Sequence, residues 1–253
     1  MRLKLFLPIL LIIVLMGCSP VSTPTEAPVT DTRIPPTFTL IPPTASRTPE
    51  PSATAVPSPT EILPGAVLFE EDFEDGRADN FVYIGDQWVV STEDNGNKEF
   101  EINTNTEEAI KNDEGSGIGF GSENWRNYLA EYRVKMLNWK ANTWLNFRST
   151  MGDNQEYYNE WLSAEYDSLT LSINQNYGPW ENLKWLDLSV RDERWYRIKV
   201  EAQGSDLRVY LDDTLMIQAE DARVERGGFD LGVMSVTHAL FDDIRVIALG
   251  DPP

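Results

Sequence analysis

Hydrophobic and polar residues alternate with a period of two through most of residues 65–253. Gly, Asn and Asp interrupt the alternation about every eight to twelve residues, which is typical of short antiparallel strands joined by tight turns. The alternation predicts roughly fourteen strands: Val67–Phe73, Gln87–Ser91, Glu99–Asn103, Gly117–Phe120, Tyr128–Leu137, Thr143–Ser149, Glu156–Glu165, Ser168–Asn174, Trp185–Arg191, Trp195–Ala202, Leu207–Leu211, Leu215–Gln218, Phe229–Met234 and Ala239–Ile247. So many short strands in one domain favour an all-β sandwich of two antiparallel sheets over a small barrel.

The N-terminal residues do not continue this pattern. Two basic residues precede an apolar run, 5–16, which is too short to span a bilayer and has the length of a signal-peptide core. The run ends in the string LMGC, which resembles the lipobox of bacterial lipoproteins. The resemblance implies cleavage after Gly17 and a lipid on the thiol of Cys18. We therefore expect residues 1–17 to be a lipoprotein signal peptide; the alternative is an ordinary secretory signal with an incidental cysteine.

A segment rich in proline and hydroxyl residues follows the signal. Residues 19–64 contain 12 of the 16 prolines and 15 Ser or Thr residues. Such a segment cannot bury a core, and a fully extended tether of this length would reach on the order of 140 Å. We therefore expect residues 18–64 to form a lipidated, disordered stalk that holds a domain, 65–253, at the surface of the cell. Its composition also permits O-glycosylation.

Charge and cysteine content exclude several classes of function. The chain carries 41 acidic and 21 basic residues, a formal net charge of −20, and the excess belongs to the predicted domain, which has 37 acidic and 17 basic residues. This balance argues against nucleic acid as a partner, because binding it requires clustered Lys and Arg. One Cys cannot form an internal disulfide, and with one His it cannot build a Cys/His zinc site. A sugar, a cation held by oxygen ligands, or a protein partner remains.

Five segments carry a resemblance to a known group of folds. They are LFEEDF (68–73), WYRIKVEAQG (195–204), LRVYLDD (207–213), GGFDLGV (227–233) and FDDIRV (241–246). Together they resemble a concanavalin A-like jelly roll, the group that includes laminin G-like domains, family-sixteen glycoside hydrolases and 3-keto-disaccharide hydrolase-like domains. The resemblance implies a concave sheet that binds oligosaccharide. Because these motifs consist of core alternation and turns, they indicate a fold more firmly than an enzyme.

The central strands predict a carbohydrate-binding face. Leucines such as Leu145, Leu162 and Leu171 point inward, so the opposite set points outward. That outward set is Trp144, Asn146, Arg148, Tyr157, Asn159, Trp161 and Trp185. Pyranose rings pack their C–H faces on indole, and their hydroxyl groups need donors and acceptors. The alternative is that the loops around Trp125, Trp139 and Trp180 cover these tryptophans, which would then extend the core.

Evidence for catalysis in the sequence is weak. A retaining or inverting glycosidase needs two carboxylates flanking the scissile bond. We expect no Glu-x-Asp-x-(x)-Glu motif of the family-sixteen enzymes in the chain, which leaves Glu165 and Asp187 as the candidate carboxylates. The sole histidine, His238, has no nucleophile motif to act with. The sequence therefore favours a non-catalytic carbohydrate-binding domain; the alternatives are a glycoside hydrolase of the same fold and a structural or protein-adhesion module.

One aspartate suggests a structural cation. Asp242 shares its parity with Leu240 and Ile244, which point inward, and a carboxylate there must be hydrogen-bonded, marginal or cation-bound. In the family-sixteen enzymes that the chain resembles, an aspartate at this place helps to bind Ca²⁺ near the first strand. We therefore predict a Ca²⁺ site formed by Asp242 with Glu71 and Asp72, since hard oxygen ligands suit this ion. The alternative is that these acids are solvated independently.

Overall fold

The computed structural model describes residues 63–150, 155–176 and 178–252. The predicted signal peptide, Cys18 and all but the last two residues of the stalk lie outside these residues. Within the described ranges the elements are β1 (Val67–Glu71), β2 (Tyr83–Ile84), β3 (Trp88–Thr92), β4 (Lys98–Asn103), α1 (Glu107–Asn112), β5 (Ser116–Phe120), β6 (Tyr128–Met136), β7 (Asn142–Ser149), β8 (Glu156–Ser163), β9 (Ser168–Gln175), β10 (Glu181–Asp187), β11 (Trp195–Gln203), β12 (Asp206–Leu211), β13 (Thr214–Glu220), β14 (Gly228–Val233) and β15 (His238–Ala248). None of the described residues forms a helix with the length and hydropathy of a membrane span.

Two antiparallel sheets pack face to face. Among the described residues, the first sheet has eight strands: β13-β12-β11-β6-β15-β4-β3 in order, with β1 beside the second half of β15. The second sheet has seven, in the order β10-β9-β8-β7-β14-β5-β2. The predicted fold class, an all-β two-sheet antiparallel sandwich, is confirmed.

The core lies between the sheets and is built from alternate positions of each strand. On β6, every second residue from Tyr128 to Met136 is buried, and β11 repeats the same alternation in register beside it. On the second sheet, β9 buries Leu169, Leu171 and Ile173 against the same core. Aromatic and β-branched residues dominate these positions, which suit a pleated, half-buried surface. The other parity of each strand therefore forms the two outer faces of the sandwich.

All fourteen predicted strands have an observed counterpart, and all but one agree within two residues at each end. The exception is β10, which the alternation of Leu188 and Val190 placed four residues too late. The backbone N–H groups of both residues donate to Asp167, in the turn between β8 and β9, instead of to a neighbouring strand. The short strand β2 and the single-turn helix α1, which Thr106 caps at its N-terminus, were not predicted.

One carboxyl group lies inside the core. Glu160 occupies an inward position of β8, is fully buried, and accepts a hydrogen bond of 2.7 Å at Oε2 from the hydroxyl of Tyr132 on the first sheet. Its Oε1 has no partner among the described residues. Burial raises the pKa of Glu160 to about 8, outweighing the lowering effect of the bond from Tyr132. The group is therefore mostly protonated at neutral pH and links the two sheets as a neutral acid.

Candidate functional site

The outer face of the second sheet carries two parallel rows of side chains that run across the strands. The first, an aromatic row, comprises the paired residues Gly117, Gly232, Trp144, Trp161, Thr170 and Trp185. The second, an amide row, comprises Gly119, Asp230, Asn146, Asn159, Ser172 and Asn182. Rows two residues apart along a strand are separated by about 7 Å. An apolar strip therefore lies directly beside a polar one.

A groove of about 430 Å³ lies over β8, β9 and β10 on this face. It is lined by Asn159, Trp161, Tyr166, Ser168, Thr170, Ser172, Trp180, Asn182, Trp185 and Met234. Trp180 and Trp185 are about half exposed, at 50% and 52%, whereas the hydroxyl and amide residues from β8 and β9 are buried. The groove therefore combines exposed indole surface with a recessed polar floor.

The polar floor retains unused hydrogen-bonding capacity. Asn159 is 1% exposed and donates from Nδ2 to Asn146 Oδ1 at 2.7 Å, but its own Oδ1 has no partner among the described residues. Ser168 Oγ, also buried, likewise has none. Leaving a buried polar group unpaired costs about 1–3 kcal/mol. Both oxygens have almost no accessible surface, so a hydroxyl group or water molecule bound at this floor can pair with them, and stabilise them, only after a small side-chain movement.

Hydrogen bonds and ring contacts orient the aromatic side chains. Trp185 Nε1 donates to Asp187 Oδ1 at 2.7 Å, and Trp161 Nε1 donates to Asn142 Oδ1 at 3.3 Å. Trp180 meets Tyr157 edge to face with the ring centroids 5.5 Å apart. Because indole N–H groups are donors that need a partner when they leave water, these contacts favour a fixed orientation of each ring.

The structure places five of the seven predicted residues at the groove, some as lining residues and some as their neighbours. Asn159, Trp161 and Trp185 line the groove, while Asn146 and Tyr157 each contact a lining residue. Trp144, which was also predicted to lie on this face, packs instead over the backbone of β14: a Cβ on Gly232 would lie 2.6 Å from the Cζ2 of Trp144. The absence of a side chain at Gly232 is therefore what allows this indole to lie against the backbone of β14.

Arg148 is not on the predicted face, and the expectation was wrong at this position. The pairing of β7 with β14 shifts register between Gly228 and Phe229, so β7 carries an extra residue there, and Arg148 has a φ of 51°. Such a bulge interrupts the alternation on which the prediction depended. The Arg148 side chain is 1% exposed, and its guanidinium donates to the carbonyl oxygens of Arg126 and Val224 at 2.9–3.2 Å.

The loops around Trp125, Trp139 and Trp180 do not cover the groove. Trp139 is 63% exposed, with Lys140 Nζ 5.1 Å from its ring centroid, and Trp180 forms part of the groove lining. Trp125 does pack on the core, beside Phe229. The alternative in which loops bury the whole aromatic face is therefore contradicted by the exposure of Trp180 and Trp185.

Sequence reasoning missed seven of the lining residues, namely Tyr166, Ser168, Thr170, Ser172, Trp180, Asn182 and Met234. The alternation could have predicted three of them. Ser168, Thr170 and Ser172 occupy the outward positions of β9, which alternate with its inward leucines. Of the other four, Tyr166, Trp180 and Met234 lie on connections. Asn182 lies on β10 before the predicted start of that strand, and a register shift separates it from Trp185. No periodicity indicates which way these four side chains point.

The weak catalytic candidates lie outside the groove lining. Glu165 and Asp187 are exposed and accept hydrogen bonds from Asn142 Nδ2 and Trp185 Nε1, respectively. No carboxylate is among the described residues that line the groove. The expectation that the Glu-x-Asp-x-Glu pattern is absent was wrong, because it occurs at 70–74. It begins on β1, which belongs to the first sheet, opposite the groove. His238, the first residue of β15, also belongs to that sheet and contacts Glu101 at 2.7 Å.

The carboxylates of the predicted Ca²⁺ site use other partners. Asp242, which burial drives towards a raised pKa, accepts at Oδ2 from Asn97 and from the guanidinium of Arg133 at 2.6 Å. Glu71 and Asp72 accept from nearby backbone N–H groups. Among the described residues there is no group of three His, Cys, Asp or Glu side chains placed to hold a metal ion. Calcium binding therefore stays a prediction, which melting in excess EDTA against millimolar Ca²⁺ tests.

No protein-family model matches the chain, and no curated protein matches it significantly. Solved structures do match. The carbohydrate-binding module CBM66 from Bacillus subtilis is 20% identical over 64% of this chain and 96% of that one, with a TM-score of 0.51. Domain 4 of AbnA, an extracellular arabinanase from Geobacillus stearothermophilus, in complex with arabinotriose, is 14% identical over 76% and 96%, with a TM-score of 0.51.

A β-glucanase from Bacillus licheniformis is 13% identical over 72% of this chain and 98% of that one, with a TM-score of 0.52. The fold is a concanavalin A-like jelly roll. At these identities the likeness concerns architecture, so the chemistry of the groove has to be argued from its own residues.

Proposed function

We propose that the domain binds carbohydrate in the groove over β8, β9 and β10 without cleaving it. The observation that carries the proposal is the combination of exposed indoles with a buried polar floor, in which Asn159 Oδ1 and Ser168 Oγ have no partner within the described part of the chain. Sugars offer apolar C–H faces to the indoles and hydroxyl groups to the floor. The shared fold of a carbohydrate-binding module and of a domain solved with arabinotriose supports the same conclusion.

The spacing of the tryptophans favours an oligosaccharide over a single sugar. Trp161 and Trp185 both pair with Thr170, from opposite sides, so they stand two strands apart. Two strand spacings amount to about 10 Å, which is longer than one pyranose ring. A ligand that touches both indoles therefore needs more than one sugar residue, laid across the strands.

Substitution of the groove tryptophans tests the proposal. In affinity electrophoresis across a panel of neutral polysaccharides, Trp161→Ala and Trp185→Ala should each weaken retention at least tenfold, because the lost stacking surface amounts to about 1.4 kcal/mol or more. Trp139→Ala is the matched control, since this indole is exposed and outside the groove. Equal retention of the wild type and both groove variants, or no retention on any glycan, would contradict carbohydrate binding in the groove.

The same panel distinguishes binding from hydrolysis. The proposal expects no product release from the bound oligosaccharide, in keeping with the lack of carboxylates among the described lining residues. Product release that is lost in Glu165→Gln would instead support the glycoside hydrolase alternative. Silence across the panel, together with capture of a defined protein partner, would support the adhesion alternative.

We also propose that a lipid on Cys18 and the stalk hold the domain at the cell surface. The support is in the sequence: an apolar signal core, the string LMGC, and a proline-rich segment before the sandwich. Cys18→Ser should move the protein from the membrane fraction to the soluble exported fraction, and it should abolish incorporation of a labelled fatty acid. Retention of label in Cys18→Ser would contradict this anchor.

A further inference from the structure

Charge is missing from the groove although the domain is strongly charged. No Asp, Glu, Lys or Arg is among the described residues that line it, and its hydrogen-bonding groups are the amides of Asn159 and Asn182, the hydroxyls of β9 and the phenol of Tyr166. Amides and hydroxyls both donate and accept, as sugar hydroxyls do. Carboxylate and sulfate groups, in contrast, are held in proteins chiefly by guanidinium and ammonium groups.

Two carboxylates are linked to the groove tryptophans by hydrogen bonds, one directly and one through Asn142. Asp187 accepts the indole N–H of Trp185, and Glu165 accepts from Asn142, which itself accepts the indole N–H of Trp161. An anionic substituent on a sugar stacked against either indole would therefore approach a carboxylate. The net charge of −20 adds a long-range repulsion of the same sign.

The arginine and lysine residues on the opposite outer face are paired with acids. Arg197 contacts Glu131 at 3.0 Å, and Arg208 contacts Glu201 at 2.7 Å. Both pairs lie on the first sheet, on strands β6, β11 and β12. These cations cannot compensate an anionic ligand bound over the second sheet.

We infer that the ligand is an uncharged glycan, and that the groove rejects glycans bearing uronate, sulfate or phosphate groups. This inference rests on the proposed function, because it names the class of carbohydrate that the same groove binds.

A matched pair of polymers tests the inference. For every neutral polysaccharide retained by the wild-type domain, its carboxymethylated derivative on the same backbone should bind at least tenfold more weakly at low ionic strength, and added salt should narrow the difference. Equal or tighter binding of the derivative would overturn the inference and leave the proposed function intact. Failure to bind any neutral or carboxymethylated polysaccharide would overturn the proposed function, and the inference would fall with it.

A single added cation separates the effect of the groove from that of net charge. Asn182→Lys places an ammonium group at the exposed edge of the lining, whereas Asn95→Lys makes the same change in net charge in the exposed turn between β3 and β4, at the edge of the first sheet opposite to β13, the strand that contacts β10. Asn182→Lys should recover at least threefold in affinity for the carboxymethylated polymer, and Asn95→Lys should recover none. Equal recovery in both variants would overturn the assignment of the discrimination to the groove.

Discussion

The two outer faces of the sandwich are both polar, but they satisfy their polar groups in different ways. On the first sheet, the outward residues of β6, β11 and β12, which we call the ion-paired face, form contacts such as Lys135–Glu93 at 3.0 Å and Arg197–Glu131 at 3.0 Å. On the second sheet, the described residues that line the groove are uncharged, and two of its buried oxygens have no partner among the residues that the structure describes. Polarity alone therefore does not distinguish a solvated face from a candidate binding face.

The two faces differ in how much hydrogen-bonding capacity remains available to a ligand. A cation that already contacts a carboxylate offers little to a ligand, and exposed pairs of this kind contribute about 0–1 kcal/mol to stability. A buried amide or hydroxyl oxygen without a partner offers a hydrogen bond that water reaches poorly. This comparison indicates that the candidate site lies on the face with fewer charged residues, even in a chain with a net charge of −20.

The hydrogen bond between Glu160 and Tyr132 joins the two sheets through the core, and the protonation of Glu160 gives the largest expected effect on stability. The unfolded carboxyl group releases its proton near its ordinary value of 4.5, whereas the folded one keeps it until about pH 8. The folded state therefore binds more protons between these limits, so the free energy of unfolding falls as the pH rises from about 4.5 to 8. At about 1.4 kcal/mol per pKa unit, the loss is on the order of several kcal/mol.

The matched variant is Glu160→Gln, whose amide oxygen accepts from Tyr132 and whose nitrogen replaces the protonated oxygen. We expect it to be close to the wild type at pH 5 and more stable at pH 8.5, as measured by urea denaturation at both values. Parallel pH profiles for the two proteins would show that Glu160 does not keep its proton in the core.

The second largest effect is expected from Arg133→Ala on the ion-paired face. Asp242 is 1% exposed, and the guanidinium of Arg133 lies 2.6 Å from its Oδ2. Removing one partner of a buried pair leaves a desolvated charge, so we expect a loss of about 2–4 kcal/mol in the free energy of unfolding. Adding Asp242→Asn to Arg133→Ala should restore much of the lost free energy of unfolding. A loss below about 1 kcal/mol would place this pair among the ordinary surface pairs.

The sequence predicted the sandwich well because alternation is a direct consequence of burying one face of each strand. It predicted the site less completely. Trp161 and Asn159 lie on a regular strand, so parity placed them correctly, whereas the extra residue at Arg148 reversed parity in a way that no local pattern shows. Trp180 belongs to a connection, where position depends on tertiary contacts such as its ring contact with Tyr157.

A smaller effect, confined to binding, is expected from Asn146→Ala. Asn146 lies outside the groove lining but accepts the Asn159 amide at 2.7 Å, so it is a positioning residue. One hydrogen bond is worth about 0.5–1.5 kcal/mol, which corresponds to a loss of roughly two- to tenfold in glycan affinity. Isothermal titration with the best glycan of the panel measures it. Asn146→Asp, which keeps the acceptor, should retain more affinity than Asn146→Ala, and equal losses would contradict positioning through this bond.

The smallest effect is expected from Arg208→Ala, the counterpart of these groove changes on the ion-paired face. Arg208 contacts Glu201 at 2.7 Å, and both side chains are partly exposed. Solvent screening limits such a pair to about 0–1 kcal/mol of stability, and added salt should reduce the difference from the wild type further. Glycan affinity should not change, because Arg208 and the groove lie on opposite sheets. A loss of affinity comparable to that in Asn146→Ala would mean that the two faces do not act separately.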